Sequence, residues 1–227
     1  VEQPTLIIPD IHHKIELAEG VRANHPGLPA IYLGDYFDDF YDTPADMATT
    51  CQWLQRRMAD RRDTFLIGNH CFAYLAYELG VRWGACSGWT VAKQQVFHQY
   101  FPADTLLKAC QWMVKCQGWL ISHAGLTRPL RQPGEILDWV QDAERSLTAG
   151  VMHPAFLAGA ERGGLARHGG ILWCDWNTFE PIQGLRQIVG HTPGAQARYK
   201  GENVCLDTHL HHYGLLEDGE LTVLDLN

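Results

Sequence analysis

The sequence predicts an α/β protein, and three observations carry that reading. Apolar runs ending in glycine or a polar turn recur along the chain, a helical pattern separates the early ones, and the last quarter is again strand-rich. Taken in order, "TLIIPD" (5–10), "AIYLGD" (30–35), "TFLIGNH" (64–70), "WLISHAG" (119–125) and "QIVGHTPG" (187–194) each read as a strand buried on both faces. Between the second and third, "TPADMATTCQWLQRRMADRR" (43–62) reads as a helix. Thr43 caps it, Pro44 suits its first turn and arginines close its end. "ACQWMVKCQGWLISHAG" (109–125) alternates and turns at Gln117-Gly118, a hairpin that delivers His123 from its second strand. "NVCLDT" (203–208) and "YGLLEDGELTVLDL" (213–226) are strand-like, the latter turning at Asp218-Gly219. Residues 128–169, punctuated by Gly134, Gly150, Gly159, Gly163, Gly164 and Gly169, read as loosely joined helices covering one edge. With no internal repeat and no low-complexity linker, residues 1–227 are expected to form one domain.

Composition narrows the function classes. A hydrophobic fraction of 46% with 19% charged residues is ordinary for a globular protein. No apolar run approaches the roughly 20 residues of a membrane span, and "VEQPTLIIPD" does not read as a secretion signal. The net charge of −8 has the wrong sign for gripping a long nucleic acid by its phosphates. Seven scattered cysteines without a CxxC pair argue against a disulfide framework and a structural zinc site. A reducing cytoplasm is the expected compartment.

Metal-type side chains gather at the carboxyl ends of the strands, where α/β sheets place their ligand sites. Asp10 and His12 follow the first strand in "PDIHH", spaced i, i+2. Asp35 and Asp38 follow the second in "GDYFD", Asn69 and His70 the third in "GNH", and His123 and His191 stand in "SHAG" and "GHTPG". The triplet Asn69-His70-Cys71 admits two chemistries, a thiolate beside an imidazole or a metal ligand beside a proton donor. Mixed Asp, His and Asn ligands suit Mn²⁺, Fe²⁺ or Zn²⁺. Two such ions about 3.5–4 Å apart would hydrolyse a phosphate ester without a covalent intermediate.

In this order and spacing the five blocks resemble the signature of the calcineurin-like metallophosphoesterase superfamily. Within it they are most similar to the PPP-type branch of the phage lambda protein phosphatase and the bacterial symmetrical diadenosine tetraphosphatases, and the likeness spans nearly the whole chain. The resemblance implies a β-sandwich flanked by helices around a dinuclear site of divalent transition-metal ions, Mn²⁺ first and Fe²⁺ or Zn²⁺ as alternatives. Asp10 and His12 would hold the first ion, Asp35 would bridge, and Asn69, His123 and His191 would hold the second. His70 would be the general acid, held by Asp38, with a bridging hydroxide as nucleophile. The expected activity is that of a phosphomonoesterase acting on a phosphorylated small molecule or phosphoprotein. A phosphodiesterase or dinucleotide pyrophosphohydrolase is the alternative within enzymes. A non-catalytic scaffold of the same fold is the alternative outside them, and the presence of His70 argues against it.

The chain departs from that pattern where the branch carries phosphate-gripping arginines: Asp39-Phe40 stands in place of Arg-Gly, Ile67 before the GNH block, and Asp175 in "WCD". Their loss would weaken binding of a dianionic monoester more than of a diester. Arg128, Arg131, Arg162 and Arg167 on the cover are candidate replacements, against a default of solvated surface arginines. His13 replaces a glycine, Cys71 an acidic residue, and Pro193 the second histidine of a GHxH block. Asp10, His12, Asp35, Asn69 and His191 each, taken singly, read better as a turn or cap residue, and only jointly as a metal site. "CQWLQRR" (51–57) spells CX5R, but mid-helix and without glycine it lacks a phosphate cradle. In "DTHLHHYG" (207–214) alternation places His209 and His211 opposite His212, as ordinary strand or loop histidines. Trp83, Trp89 and Trp173 are candidates to wall a substrate cleft.

Overall fold

The structure is a computed structural model that describes residues 3–81, 86–130 and 135–226. Trp83, Arg131 and Gly134 lie outside the described residues. In chain order the elements are β1 (Thr5–Ile8), α1 (Ile15–Asn24), β2 (Ala30–Tyr32), α2 (Pro44–Met58), β3 (Thr64–Phe65), α3 (Asn69–Glu78), α4 (Val91–Tyr100), α5 (Thr105–Ala109), β4 (Met113–Cys116) and β5 (Trp119–Ser122). There follow α6 (Ile136–Thr148), β6 (Arg186–Val189), β7 (Arg198–Lys200), β8 (Asn203–Cys205), β9 (His212–Glu217) and β10 (Glu220–Asp225), with short 3₁₀ turns on either side of α6.

The strands form two five-stranded sheets, ordered β10-β9-β1-β2-β3 and β4-β5-β6-β8-β7. Side-chain alternation on β1 and β2 builds the layers. Leu6 and Ile8, with Tyr32 beside them, face the helices, joining Val21, Met47, Leu54 and Phe72 in the larger core. Ile7 and its register partner Ile31 face the other way, meeting Ile121, Ile188 and Val204 of the second sheet. Both faces of β1 and β2 are thus buried, which is why these two strands carry no charged residue on either face. Among the described residues no helix is long and apolar enough to cross a membrane.

Local chemistry accounts for the element ends. Thr43 accepts from the Asp46 N–H and the Asp46 carboxylate accepts from the Thr43 N–H, a complete capping box with Pro44 at the first position. The helix expected over 43–62 stops at Met58, because the Asp63 carboxylate draws the chain into a turn. It takes Arg57 at 2.6 Å and accepts the Ala30 N–H at 3.1 Å, tying this turn to β2. Gln117 (φ 48°) and Gly118 (φ 81°) form the left-handed turn between β4 and β5.

The third expected strand is shorter than its apolar run. Pairing with β2 covers only Thr64 and Phe65; Leu66 then bridges to Gln111, and Gly68 caps α3, so Asn69 and His70 open a helix instead of ending a strand. The stretch 207–211 is likewise loop: His209 (φ 57°) and Leu210 (φ 64°) are left-handed, and the alternation expected there does not exist.

Candidate metal centre

Four strand ends and the N-terminus of α3 converge on a cleft of about 490 Å³. His12, Asp35, Asp38, Asn69, His70 and His191 line it. Asp10 and His123 sit beneath, at 1% and 0% exposure. All eight residues singled out from the sequence are therefore brought together.

Backbone geometry fixes them in place. His12 (φ 43°), Asp35 (φ 43°), Asp38 (φ 66°) and His191 (φ 69°) all adopt left-handed conformations without being glycine, which costs of order 1–3 kcal/mol apiece unless the surroundings hold them. Glycine occupies the places where the chain passes closest: a Cβ at Gly68 would overlap the Asp35 carboxylate, and one at Gly190 would overlap that of Asp10. The glycines of "GNH" and "GHTPG" thus exist to let carboxylates in. The N-terminus of α3 rests on Asp35, whose Oδ1 accepts the His70 N–H at 2.9 Å, and the His191 N–H reaches Asp10 Oδ2 at 2.9 Å.

Among the described residues, two groups of donor atoms lie within 4.8 Å of one another: Asp10, His12 and Asp35, and Asp35, His123 and His191. Asp35 belongs to both. His12 donates Nδ1–H to the Asp38 carbonyl at 2.7 Å, which leaves Nε2 bare toward the Asp35 carboxylate. His123 donates Nδ1–H to the Leu33 carbonyl at 3.0 Å, leaving its Nε2 2.9 Å from Asn69 Oδ1, 3.2 Å from His191 Nδ1 and 3.4 Å from Asp35 Oδ2. Asn69 is oriented by its amide N–H, which points to Cys86 Sγ at 3.3 Å, so its oxygen faces the histidines. Donor atoms crowded this closely in a buried space stay together only with a proton or a metal cation shared among them. His191 Nε2 is also buried without a partner among the described residues. The donor set fits divalent ions of borderline softness.

The electrostatics agree. Burial pushes the Asp10 carboxyl well up, with the Asp207 carboxylate adding to it. Burial would also raise Asp35, but the imidazoles of His123 and His70 hold it far below the usual carboxylate range. Burial opposes the His123 imidazolium, yet Asp35 and Asp10 lift its pKa to about 9. His191 goes the other way: burial and the neighbouring His123 keep it neutral.

Beside these groups stands His70. Its Nδ1 lies 3.0 Å from Asp38 Oδ2, and its ring meets that of His12 edge-on at 5.2 Å. Burial opposes its charge, but Asp35 and Asp38 hold its pKa well above the ordinary value, so it carries a proton to give. Asp38 is itself clamped by Tyr74 Oη at 2.6 Å and by Lys93 Nζ at 2.8 Å.

Neither Cys71 nor Cys51 has the geometry that the thiol alternative needs. Cys71 is fully buried with its pKa pushed well up by burial, and Cys51 is enclosed within α2. Of the proposed cleft walls, Trp173 lines the cavity, whereas Trp89 packs on Gln94 outside it. Ile67 is core, and His13 binds Thr50 and Asp42. Sequence reasoning missed Asp207, Cys86 and His209, which also line the cleft or its edge. Asp207 had a signal, since it too follows a strand end in "CLDT"; Cys86 had none. Of the candidate arginines among the described residues, Arg128 pairs with Glu180 at the surface, Arg167 is exposed, and Arg162 alone lines the cavity.

No family model matches the chain, and no curated protein matches it. Solved structures do. A cold-active protein-tyrosine phosphatase of the psychrophile Shewanella sp. aligns with a TM-score of 0.63 at 15% identity, over 100% of this chain and 81% of that one. A protein serine/threonine phosphatase from Saccharomyces cerevisiae aligns at 0.52 and 10% identity, over 99% and 80%. A metallophosphoesterase from Sphaerobacter thermophilus aligns at 0.50 and 13% identity, over 100% and 89%. At these identities the likeness is one of architecture: the chain has the calcineurin-like phosphoesterase fold.

Proposed function

We propose that this chain is a metal-dependent phosphoesterase, and within that class a phosphomonoesterase acting on a phosphorylated small molecule or phosphoprotein. The observation that carries the reading is the convergence of Asn69 Oδ1, His123 Nε2, His191 Nδ1 and Asp35 Oδ2 on one buried point, with a proton-bearing His70 alongside. Asp10, His12 and Asp35 would hold one divalent ion, and Asp35, Asn69, His123 and His191 a second, Mn²⁺ being favoured and Fe²⁺ or Zn²⁺ compatible. When bound, the ions supply Lewis acidity to the phosphoryl oxygens and a water activated near neutral pH.

The chain's own residues do the rest. Asp38 accepts the Nδ1–H of His70, fixing the ring so that Nε2–H faces the cleft, and His70 delivers that proton to the departing ester oxygen. The Leu33 and Asp38 carbonyls hold the tautomers that leave His123 Nε2 and His12 Nε2 bare. Trp173, T-shaped to His191 at 6.0 Å, walls that side of the cleft.

The carboxylates of Asp38, Asp39 and Asp207 on the cleft favour, as a second reading, a diester or dinucleotide substrate with less charge on the reacting phosphorus. The test uses chelator-stripped protein refilled with Mn²⁺, Zn²⁺ or Fe²⁺ and assayed on paired aryl phosphomonoester and phosphodiester substrates. Faster turnover of the monoester supports the first reading and of the diester the second. Hydrolysis of neither with any ion overturns both.

A further inference from the structure

Among the described residues that line the cleft, Arg162 and Lys14 are the only lysine or arginine side chains, facing four aspartates. Arg162 does not come from a strand end. It closes a 3₁₀ turn, Ala160–Arg162, in the segment between α6 and β6. That turn is pinned at its base: Gly159 bridges Ala166, the Ala160 N–H reaches the Ala166 carbonyl at 2.9 Å, and Gly163 (φ 76°) sends the chain back. The guanidinium is therefore presented from a tied loop, not from a loose surface strand.

Its side-chain contacts run through one nitrogen. Nη2 lies 2.7 Å from Asp175 Oδ2 and 3.2 Å from Thr192 Oγ1, which places the group one residue from His191. Nε is buried and has no partner among the described residues. The same holds for Nε of Arg57, Arg186 and Arg198, so what distinguishes Arg162 is its place on the cleft and not this N–H. Asp175 takes one edge of the fork only. Its side chain is 11% exposed against 27% for Arg162, so the carboxylate lies behind and the guanidinium toward solvent and the cleft. A planar fork with spare N–H donors beside a hydrolytic centre matches the non-bridging oxygens of a phosphoryl group.

Resting on the phosphoesterase reading above, we infer that Arg162 is the substrate-binding residue for the phosphoryl oxygens and that Asp175 is its positioning residue, which makes a phosphomonoester the preferred substrate. A monoester offers the guanidinium a second anionic oxygen that a diester has esterified, so removal of Arg162 should cost the monoester more. Lys14 does not substitute, because an ammonium offers a point charge in place of a fork.

The experiment compares wild type, Arg162→Lys and Arg162→Gln after metal refilling. It measures KM and kcat on the paired aryl esters, metal content by mass spectrometry, and the Kd for inorganic phosphate by calorimetry. Loss of one charge-assisted fork is expected to raise the phosphate Kd and the monoester KM about 10- to 100-fold, with Arg162→Lys between, the diester KM changed several-fold less, and metal content unchanged. Phosphate Kd and monoester KM that stay at wild-type values in an active enzyme overturn the inference and leave the phosphoesterase reading standing. Metal content falling in parallel with phosphate binding overturns it also, making Arg162 a structural residue. A wild-type chain that binds phosphate through Arg162 yet hydrolyses neither ester upholds the anion site and sinks the phosphoesterase reading instead.

Discussion

Lys93 is the most exacting test of how the centre is supported. It lies in the first turn of α4, where the helix dipole disfavours a cation, so the helix itself gives no reason for a lysine there. The reason is tertiary. Its Nζ sits 2.8 Å from Asp38 Oδ1 and 2.8 Å from Asp42 Oδ2, all three side chains being no more than 5% exposed. Burial opposes its charge, and the hydrogen bonds to Asp38 and Asp42 more than offset that, raising its pKa. Lys93→Met keeps the unbranched length and removes the charge. Asp38 then retains Tyr74 and His70, while Asp42 keeps His13 at 3.0 Å. Breaking a buried pair by removing one partner costs about 3–5 kcal/mol, a large part of a total stability of about 5–15 kcal/mol. For a domain of this size each kcal/mol moves the melting temperature by about 2–4 °C, so the variant should melt roughly 6–20 °C lower. Thermal melts and urea titrations at neutral pH measure this. The double variant Lys93→Met with Asp42→Asn should recover part of the loss, because it removes the stranded charge. A single variant within about 1 kcal/mol of wild type, or a double variant that loses the sum of both, would refute the assigned role.

His70→Asn should lower kcat by about 10²- to 10⁴-fold with metal content intact, since the backbone N–H that binds Asp35 remains; undiminished turnover removes His70 from the acid role. In the ion-free protein the His123 pKa is about 9, and an ion must displace that proton. Apparent affinity should therefore fall roughly tenfold per pH unit below 9, read by calorimetry in buffers of different ionisation enthalpy; affinity flat between pH 6 and 8 contradicts His123 as a ligand. The same raised pKa stabilises the ion-free fold. That contribution is fully present below the unfolded value near 6.5 and is lost as pH rises through about 9. Melts of chelated protein should decline over that window, and a rise there would contradict a His123 imidazolium held by Asp35 and Asp10.

Much of the fold and of the centre was legible because the same residues serve both. An apolar run ending in glycine marks a strand, and the glycines of "GNH" and "GHTPG" prove to be where a Cβ would strike Asp35 and Asp10. Strand pattern and metal ligands are thus two consequences of one close approach. What the sequence concealed lies in long-range partnerships and backbone sign. Nothing local marks His12, Asp35 or His191 as left-handed, because the conformation is imposed by the surrounding contacts. "TFLIGNH" read as one strand because its apolar run is continuous. The sheet releases it after Phe65 so that Gly68 can cap α3 and aim the first peptide groups of the helix at Asp35.

The same logic explains why Arg162 resisted sequence reading while Asp175 stood out. Asp175 occupies a recognisable "WCD" block, and there it reads as a lost positive charge. In space it lies 2.7 Å from a guanidinium that arrives from 13 residues earlier, on a loop with no pattern of its own. A carboxylate beside an anion-binding cleft is unfavourable alone, but as the anchor of an arginine it fixes the direction of the fork and leaves the pair near neutrality until substrate arrives. Charge at the cleft is therefore set by pairs drawn from distant segments, and counting acidic and basic residues within a block misjudges it. Lys93 is a second case, offsetting Asp38 and Asp42 from another helix. Removing either cation should be felt through the carboxylate it leaves behind, in substrate binding for Arg162 and in stability for Lys93.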